Sequence, residues 1–110
     1  MQECSSLESR PGCIQSAMAI VGEKWTAIIV SSLSERSRTF SELEELVEGI
    51  NPRTLSQRLE KLSTEGIASK QLYNEHPPRY RYELTAKGSE LQNVLRAMAE
   101  WGDKYHLKQN

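Results

Sequence analysis

The segment spanning residues 51–59 combines the signals of a helix start with side chains that can read DNA. Asn51 is a good N-cap, and Pro52 suits the first helical position because its missing N–H has no intrahelical partner there. A leucine recurs about once per turn, so one stripe of the helix is apolar and polar side chains occupy the rest. Arg pairs with guanine, Gln with adenine, and Ser with a base or a phosphate. We therefore interpret the segment as a helix suited to DNA recognition, with base contacts from Arg53, Ser56 and Gln57.

The total charge of the chain argues against nucleic-acid binding, but the distribution of charge does not. The 110 residues carry a formal net charge of −1, whereas nucleic-acid-binding domains are usually basic. Acidic residues cluster between positions 42 and 48, and basic residues form three groups elsewhere. These groups are Arg36 with Arg38, Arg53 with Arg58 and Lys61, and Arg79 with Arg81. A basic face opposite an acidic one would still bind phosphate.

Length and composition predict one ordinary globular domain. The chain is 37% hydrophobic and 26% charged, which is typical of soluble proteins. Its longest apolar run, residues 27–30, is far too short to span a bilayer, so we expect no membrane partner. The N-terminus lacks the basic-then-apolar pattern of a secretory signal, which predicts a cytoplasmic location.

No pattern in the sequence predicts catalysis, a metal site or a cofactor. His76 and His106 have no partners at metal-ligand spacing, and there is no phosphate loop, nucleophile elbow or supported carboxylate pair. Cys4 and Cys13 do not make a disulfide framework in a cytosolic protein, and they can pair only if the N-terminal arm folds back. Cys13, at a predicted helix start, is a candidate reactive thiol because a helix N-terminus favours the thiolate.

The predicted elements follow the order of a winged helix-turn-helix, a mainly α-helical fold with a small antiparallel β-hairpin (α+β). Residues 1–12 are predicted to form a flexible arm, and residues 13–110 a single domain. The predicted helices span residues 13–21, 23–34, 41–47, 52–66 and 86 onward, and the strands span 39–40, 67–73 and 79–84.

Three further expectations concern how these elements are capped and packed. Ser41 is expected to start the third helix, with Glu44 completing a capping box, and Thr85 is expected to cap the last helix. The second helix is apolar nearly all round, which predicts that it is the buried central helix. The aromatic residues expected in the core are Trp25, Tyr80, Tyr82 and Trp101.

Six short motifs resemble those of HxlR-type transcriptional regulators, a MarR-like winged-helix family. The motifs are GEKWT (22–26), FSEL (40–43), INPRTLSQRL (50–59), EGI (65–67), PPRY (77–80) and YELTAKG (82–88). Their order and spacing together make the match specific. The resemblance implies a homodimer that binds a palindromic operator in double-stranded DNA, with an interface built from the first and last helices. The interface residues expected on these helices are Ile14, Met18, Leu91, Leu95, Met98 and Trp101.

Polar and basic residues around the recognition segment and on the hairpin are expected to contact phosphates or the minor groove. They are Arg38, Ser41, Thr54, Lys61, Arg79 and Arg81. The resembled family usually has a basic pair before the Phe of the third helix, and here Thr39 replaces the second basic residue. Family members often carry a cysteine at the start of the first helix, and some sense electrophiles or oxidants through it. Gly12 occupies that position here, and Cys13 follows it.

We therefore expect a sequence-specific, DNA-binding transcriptional regulator of repressor type, with Cys13 as a candidate sensor of oxidants or electrophiles. It is not expected to be an enzyme or to hold a cofactor. The alternative is a winged-helix module for protein–protein interaction, which the near-neutral charge favours. Such a module would bind DNA weakly and without sequence preference.

Overall fold

The computed structural model describes residues 11–105 and shows a winged helix-turn-helix, as the sequence predicted. Most of the predicted arm, residues 1–10, lies outside the described residues. The elements are α1 (Pro11–Val21), α2 (Thr26–Glu35), β1 (Arg38–Thr39), α3 (Phe40–Leu46), α4 (Pro52–Thr64), β2 (Ala68–Glu75), β3 (Pro78–Leu84) and α5 (Ala86–Lys104).

The first two helices differ from their predicted bounds. α1 begins two residues earlier than predicted, at Pro11, a residue type that suits a first helical position. α2 begins three residues later than predicted because Glu23 and its neighbours form a turn, closed by the Thr26 N–H donating to the Glu23 carbonyl at 3.3 Å. α2 buries Ile29, Val30 and Leu33, but Ile28 is 45% exposed. α2 is therefore buried in the core, as predicted, but one side of it is exposed.

The cap of α3 also lies two residues before its predicted place. Thr39, not Ser41, is the N-cap, and its hydroxyl accepts a hydrogen bond from the Glu42 N–H at 3.2 Å. The Glu42 carboxylate accepts the Thr39 N–H at 2.8 Å and completes the capping box. Thr39 also ends strand β1, so the threonine that replaces a family basic residue joins the sheet to the helix-turn-helix.

α4 is capped and packed as its sequence predicted. The Asn51 side chain accepts the Thr54 N–H at 2.8 Å, and Pro52 takes the first helical position. Gly49, with φ of 87°, supplies the left-handed residue that the turn between α3 and α4 needs. Three leucines of α4 are buried in the core, namely Leu55, Leu59 and Leu62.

The three strands form an antiparallel sheet in the order β1-β3-β2. β3 lies in the centre, where Tyr82 pairs with Arg38 on one side and Lys70 on the other. Tyr82 is buried as predicted, but Tyr80 is 39% exposed, so its placement in the core is wrong. The reason is that the far half of the hairpin extends beyond the helical core, and residues 70–81 are all exposed.

α5 starts at a tight junction with the base of the hairpin. The Thr85 hydroxyl caps α5 by accepting the Gly88 N–H at 3.1 Å, and the Thr85 N–H donates to the Ile67 carbonyl at 3.0 Å. Leu95 is buried in the core, whereas Trp101 is 60% exposed. The prediction of a buried Trp101 is wrong because the C-terminal half of α5 extends past the core of the single chain.

No single helix in the described part of the chain is long and apolar enough to cross a membrane. Cys13–Val21 and Thr26–Glu35 pass that test of length and composition only when they are taken together, as a pair bent by 75°. Between residues 11 and 105, no three His, Cys, Asp or Glu side chains are grouped so that they could hold a metal ion.

The junction at Gly88 generates a prediction about stability. A Cβ at this position would collide with the Ile67 carbonyl oxygen and press on Leu84, whereas a Cβ on Gly102, in the same helix, would meet nothing. We expect Gly88→Ala to lower the free energy of unfolding by about 1–3 kcal/mol. Gly102→Ala is the control and should stabilise the helix by up to about 1 kcal/mol. Urea denaturation of both variants measures the difference, and equal midpoints would contradict the steric argument.

Candidate nucleic-acid interface

The outer face of α4 presents the three predicted base-reading side chains to solvent. Arg53, Ser56 and Gln57 are exposed, and within residues 11–105 none of their side chains makes an ion pair or hydrogen bond. The buried leucines on the opposite face fix the rotation of the helix about its axis. The structure therefore brings the three residues together on the first two turns of α4, with their donors and acceptors unoccupied by the described part of the chain.

A groove next to the start of α3 joins two of the predicted phosphate contacts. It has a volume of about 290 Å³ and lies between the α3 start and the hairpin. Ser41 and Arg79 line it from opposite sides, although they are 38 positions apart in sequence. Its other lining residues are Thr39, Phe40, Tyr73, Pro78, Tyr80 and Tyr82. The groove therefore combines a hydroxyl and a guanidinium with aromatic walls.

The two arginines of the hairpin differ in how far they are constrained. The Arg81 guanidinium lies 4.9 Å from the centre of the Tyr73 ring, a cation–π contact that restricts its direction. The Arg79 side chain has no charged, hydrogen-bonded or aromatic partner among the described residues. Both keep their full charge available, because neither faces a carboxylate within ion-pair distance in the described part of the chain.

Two of the residues predicted to bind phosphate have partners inside the protein instead. Arg38 lies 2.6 Å from the Glu35 carboxylate and donates to the Ser32 carbonyl at 3.1 Å, with only 11% of its side chain exposed. Lys61 donates to the Glu23 carboxylate at 2.9 Å and to the Ala19 carbonyl at 3.1 Å. Their charges support the packing of the helices, and a phosphate contact from either would require these bonds to break.

Glu23 is a residue that the sequence analysis did not single out. Its carboxylate lies between Lys61 and Arg58, with Arg58 Nε 2.6 Å from Glu23 Oε2. The Arg58 N–H is not aligned as a hydrogen bond, so Lys61 is the stronger partner. The hydrogen bond from Lys61, with the charge of Arg58, lowers the pKa of Glu23. No local spacing signals this contact, because Glu23 and Lys61 are 38 residues apart.

The capping carboxylate of α3 is held in its ionised form. The Thr39 N–H and then the Arg36 guanidinium, which lies 2.7 Å away, lower the pKa of Glu42 to about 2. Glu42 therefore keeps its charge throughout the pH range in which proteins usually bind DNA. Both arginines of the basic group at positions 36 and 38 are therefore paired: Arg36 with Glu42 and Arg38 with Glu35.

The residues predicted to form a dimer interface fall into two sets. Four are about half-exposed or more in the single chain: Ile14, Met18, Met98 and Trp101. Leu91 is partly buried against the core, and Leu95 is buried inside it. Leu95 thus contributes to the core of its own chain. A groove of about 330 Å³ separates α1 from α5, with Ala17 and Ile20 on one side and Leu91 and Val94 on the other.

Cys13 lies in the first turn of α1 and is in a disulfide in this structure. A disulfide framework was not expected from two cysteines, so the bond is a difference from the sequence prediction. The chain's other cysteine, Cys4, lies outside the described residues.

The pattern of the HxlR-like helix-turn-helix family matches residues 20–110. The chain belongs to this family. It is 33% identical over 95 residues to the uncharacterized HTH-type transcriptional regulator YdeP of Bacillus subtilis strain 168, a match that covers 86% of this chain and 74% of YdeP. Its fold is similar to that of a MarR-family transcriptional regulator from Enterococcus faecalis V583, with a TM-score of 0.82 and 25% identity over 96% of this chain and 94% of that one. It is also similar to the redox regulator HypR in its oxidised form, with a TM-score of 0.77 and 26% identity over 88% of this chain and 97% of HypR.

The HxlR family membership confirms the resemblance inferred from the six motifs. The chain is a transcriptional regulator of HxlR/MarR type with a DNA-binding helix-turn-helix. Its curated relatives are transcriptional regulators, in keeping with the expectation of a non-enzyme.

Proposed function

We propose that this HxlR-type chain is a homodimeric repressor that binds a palindromic operator through α4. The observation that carries the proposal is the exposed set of Arg53, Ser56 and Gln57, which has no partner between residues 11 and 105. An α-helix fits the major groove, and residues near its N-terminal end contact base edges. In a dimer, two copies of α4 would read half-sites about 34 Å apart, or a multiple of that distance.

Each of the three α4 side chains has a distinct role in this proposal. Arg53 donates two hydrogen bonds to the O6 and N7 atoms of a guanine, and Gln57 pairs with an adenine. Ser56, which is shorter, contacts a base or a phosphate. These contacts carry the sequence preference, whereas contacts to the DNA backbone fix the position of the protein.

The backbone contacts come from a smaller set than the sequence predicted. The groove that Ser41 and Arg79 line is suited to the sugar–phosphate backbone, because it offers a hydroxyl and a guanidinium without a carboxylate partner. Arg81 stacks on Tyr73 and extends the same basic surface along the hairpin. Thr54, at the first turn of α4, completes the set. Arg38 and Lys61 are left out because their charges are already paired.

The dimer of the proposal uses the exposed apolar faces of α1 and α5. Met18 and Met98 are each about half-exposed in the single chain, and Trp101 is 60% exposed. Several large apolar side chains exposed on two helices support an interaction site on these faces. A second copy of the chain is the natural partner, since a palindromic operator requires two recognition helices related by a two-fold axis. A dimer bound at a promoter would repress by excluding other proteins from it.

The repressor proposal is tested by selecting bound duplexes from a random DNA pool with reduced protein. We expect a palindromic sequence to be enriched and to bind more tightly than a scrambled duplex. Arg53→Ala should then cost about 1–3 kcal/mol per half-site and relax the preference at one base pair. Arg79→Ala should weaken all duplexes equally and reduce the salt slope by about 1.8 per dimer, since each phosphate contact contributes about 0.9. Fluorescence anisotropy at several salt concentrations measures both effects.

Two results would contradict this assignment. An equal loss on every duplex for Arg53→Ala would remove its role in base reading. Equal and feeble binding of the wild type to selected and scrambled DNA would favour the alternative, a protein-interaction module.

The dimer is tested by placing a charge on its proposed interface. Met98→Glu should raise the dimer dissociation constant at least about tenfold, or about 1.4 kcal/mol, because the carboxylate would be buried against an apolar face. Leu72→Glu is a matched control, because Leu72 is equally exposed but lies on the hairpin. Sedimentation velocity measures both. Unchanged dissociation in Met98→Glu would exclude this part of α5 from the interface.

We also propose that oxidation of Cys13 modulates operator binding. Support comes from its position in the first turn of α1, its disulfide in this structure and the similarity of the fold to the redox regulator HypR. Oxidation joins the Cys13 thiol to a second thiol, and two protons and two electrons pass to the oxidant.

The redox proposal is tested by titrating the selected duplex with reduced protein and with diamide-oxidised protein. We expect the two forms of the wild type to differ in affinity and the two treatments of Cys13→Ser to give the same affinity. A Cys13→Ser protein that still responds to diamide would show that Cys13 is not the sensor.

A further inference from the structure

The turn between α1 and α2 is joined to α4 by a hydrogen bond and an ion pair, although the two segments are far apart in sequence. Glu23 lies in this turn, and its two carboxylate oxygens face different cations of α4. Oε1 accepts a hydrogen bond from Lys61 at 2.9 Å, and Oε2 lies 2.6 Å from Arg58. Only 24% of the Glu23 side chain is exposed, so water screens these contacts less than it screens a surface pair.

Lys61 extends the same contact to the end of α1. Its ammonium also donates to the carbonyl of Ala19 at 3.1 Å, in the last turn of that helix. The last carbonyls of a helix have no intrahelical partner and carry partial negative charge, so a cation is favoured there. One ammonium thus joins the C-terminal end of α1 to α4 directly, and Glu23 joins them again through the turn.

A second side chain of the turn contacts the helix-turn-helix at a different point. The ring of Trp25 packs beside Gly49, in the turn that precedes α4, and would lie 3.7 Å from a Cβ added to that glycine. The connection between α1 and α2 therefore contacts α4 in its C-terminal half, at Arg58 and Lys61, and also contacts the turn that precedes α4. Together with the buried leucines of α4, these two separated points of contact restrain the direction of the helix.

We propose that Glu23 is a positioning residue for DNA recognition. It holds α4 in its orientation relative to α1, and it keeps the Lys61 ammonium bonded inside the protein, between α4 and the end of α1. This inference rests on the proposed function, because α1 carries Ile14 and Met18 of the proposed dimer face. Holding α4 to α1 fixes the separation of the two recognition helices in the dimer. The consequence is discrimination between operators that differ only in the spacing of their half-sites.

The test compares three single variants and one double variant. Glu23→Gln keeps the shape and one acceptor but removes the charge that holds both cations. Lys61→Gln removes the cation, and the two changes combined complete a double-mutant cycle. Glu60→Gln is the matched control, because Glu60 is exposed on the same helix and has no ion pair among the described residues. It changes the net charge as Glu23→Gln does.

The first measurement is the affinity of each variant for the selected operator and for duplexes with one or two base pairs inserted between the half-sites. We expect Glu23→Gln and Lys61→Gln each to reduce the spacing discrimination by about tenfold, and the double variant to lose no more than either. Glu60→Gln should keep the wild-type discrimination. Glu23→Gln behaving like Glu60→Gln would overturn the inference.

The salt dependence of DNA binding shows whether Lys61 is paired inside the protein or contacts a phosphate. With Glu23 in place, Lys61→Gln should leave the salt slope unchanged. A reduction of about 1.8 per dimer would show that Lys61 binds phosphate and would overturn the inference.

Amide hydrogen exchange without DNA distinguishes failure of this inference from failure of the proposed function. In Glu23→Gln, exchange should accelerate together in the last turn of α1 and in α4, and it should not change in Glu60→Gln. If the wild type selects no DNA sequence, the repressor proposal fails, and the exchange data still decide whether Glu23 holds the two helices together. Unchanged exchange in both segments would overturn the inference regardless of the DNA result.

Discussion

The burial of three leucines decides which face of α4 remains available for DNA. Leu55, Leu59 and Leu62 are at most 2% exposed, and full burial of each such side chain contributes about 1.5–3 kcal/mol. An ion pair near the surface contributes about 0–1 kcal/mol, so the rotation of the helix follows the leucines and the polar side chains take the remaining positions. Arg53 and Gln57 point outward because the opposite face is apolar. The candidate interface is thus a consequence of core packing.

A second constraint joins the DNA-reading half of the fold to α5. The Thr85 N–H donates to the Ile67 carbonyl and the Thr85 hydroxyl donates to the Gly66 carbonyl, while Gly88 packs closely against the Ile67 carbonyl. Ile67 precedes β2, and Thr85 follows β3, so the base of the hairpin and the start of α5 are held at one point. Within residues 11–105, no comparable pair of bonds holds the hairpin tip, which fits an element whose outer residues meet a partner.

Local patterns predicted the elements that depend on neighbours in sequence. The Asn51 cap, the leucine stripe and the Thr85 cap were all predicted, because each involves residues within about two turns of one another. The sequence alone favours Ser41 as the start of α3, because Ser41 with Glu44 has the same spacing as Thr39 with Glu42. Pairing of β1 with β3 selects Thr39, since Thr39 is opposite Arg81 in the sheet. Exposure of Trp101 and Tyr80 was equally unpredictable, because it depends on how far α5 and the hairpin extend past the core.

Sequence alone did not show which of the basic side chains are paired with carboxylates. Every basic group in the sequence offered candidate phosphate contacts, yet four of the seven cations lie beside carboxylates: Arg36, Arg38, Arg58 and Lys61. Glu23 and Lys61 are 38 positions apart, so their pairing follows from the tertiary fold, and no local sequence pattern indicates it. The three remaining cations, Arg53, Arg79 and Arg81, lie on α4 and the hairpin. A net charge of −1 is therefore compatible with DNA binding, because carboxylates pair with the four cations that organise the helices, whereas Arg53, Arg79 and Arg81 have no carboxylate partner among the described residues and remain available for the DNA contacts of our proposal.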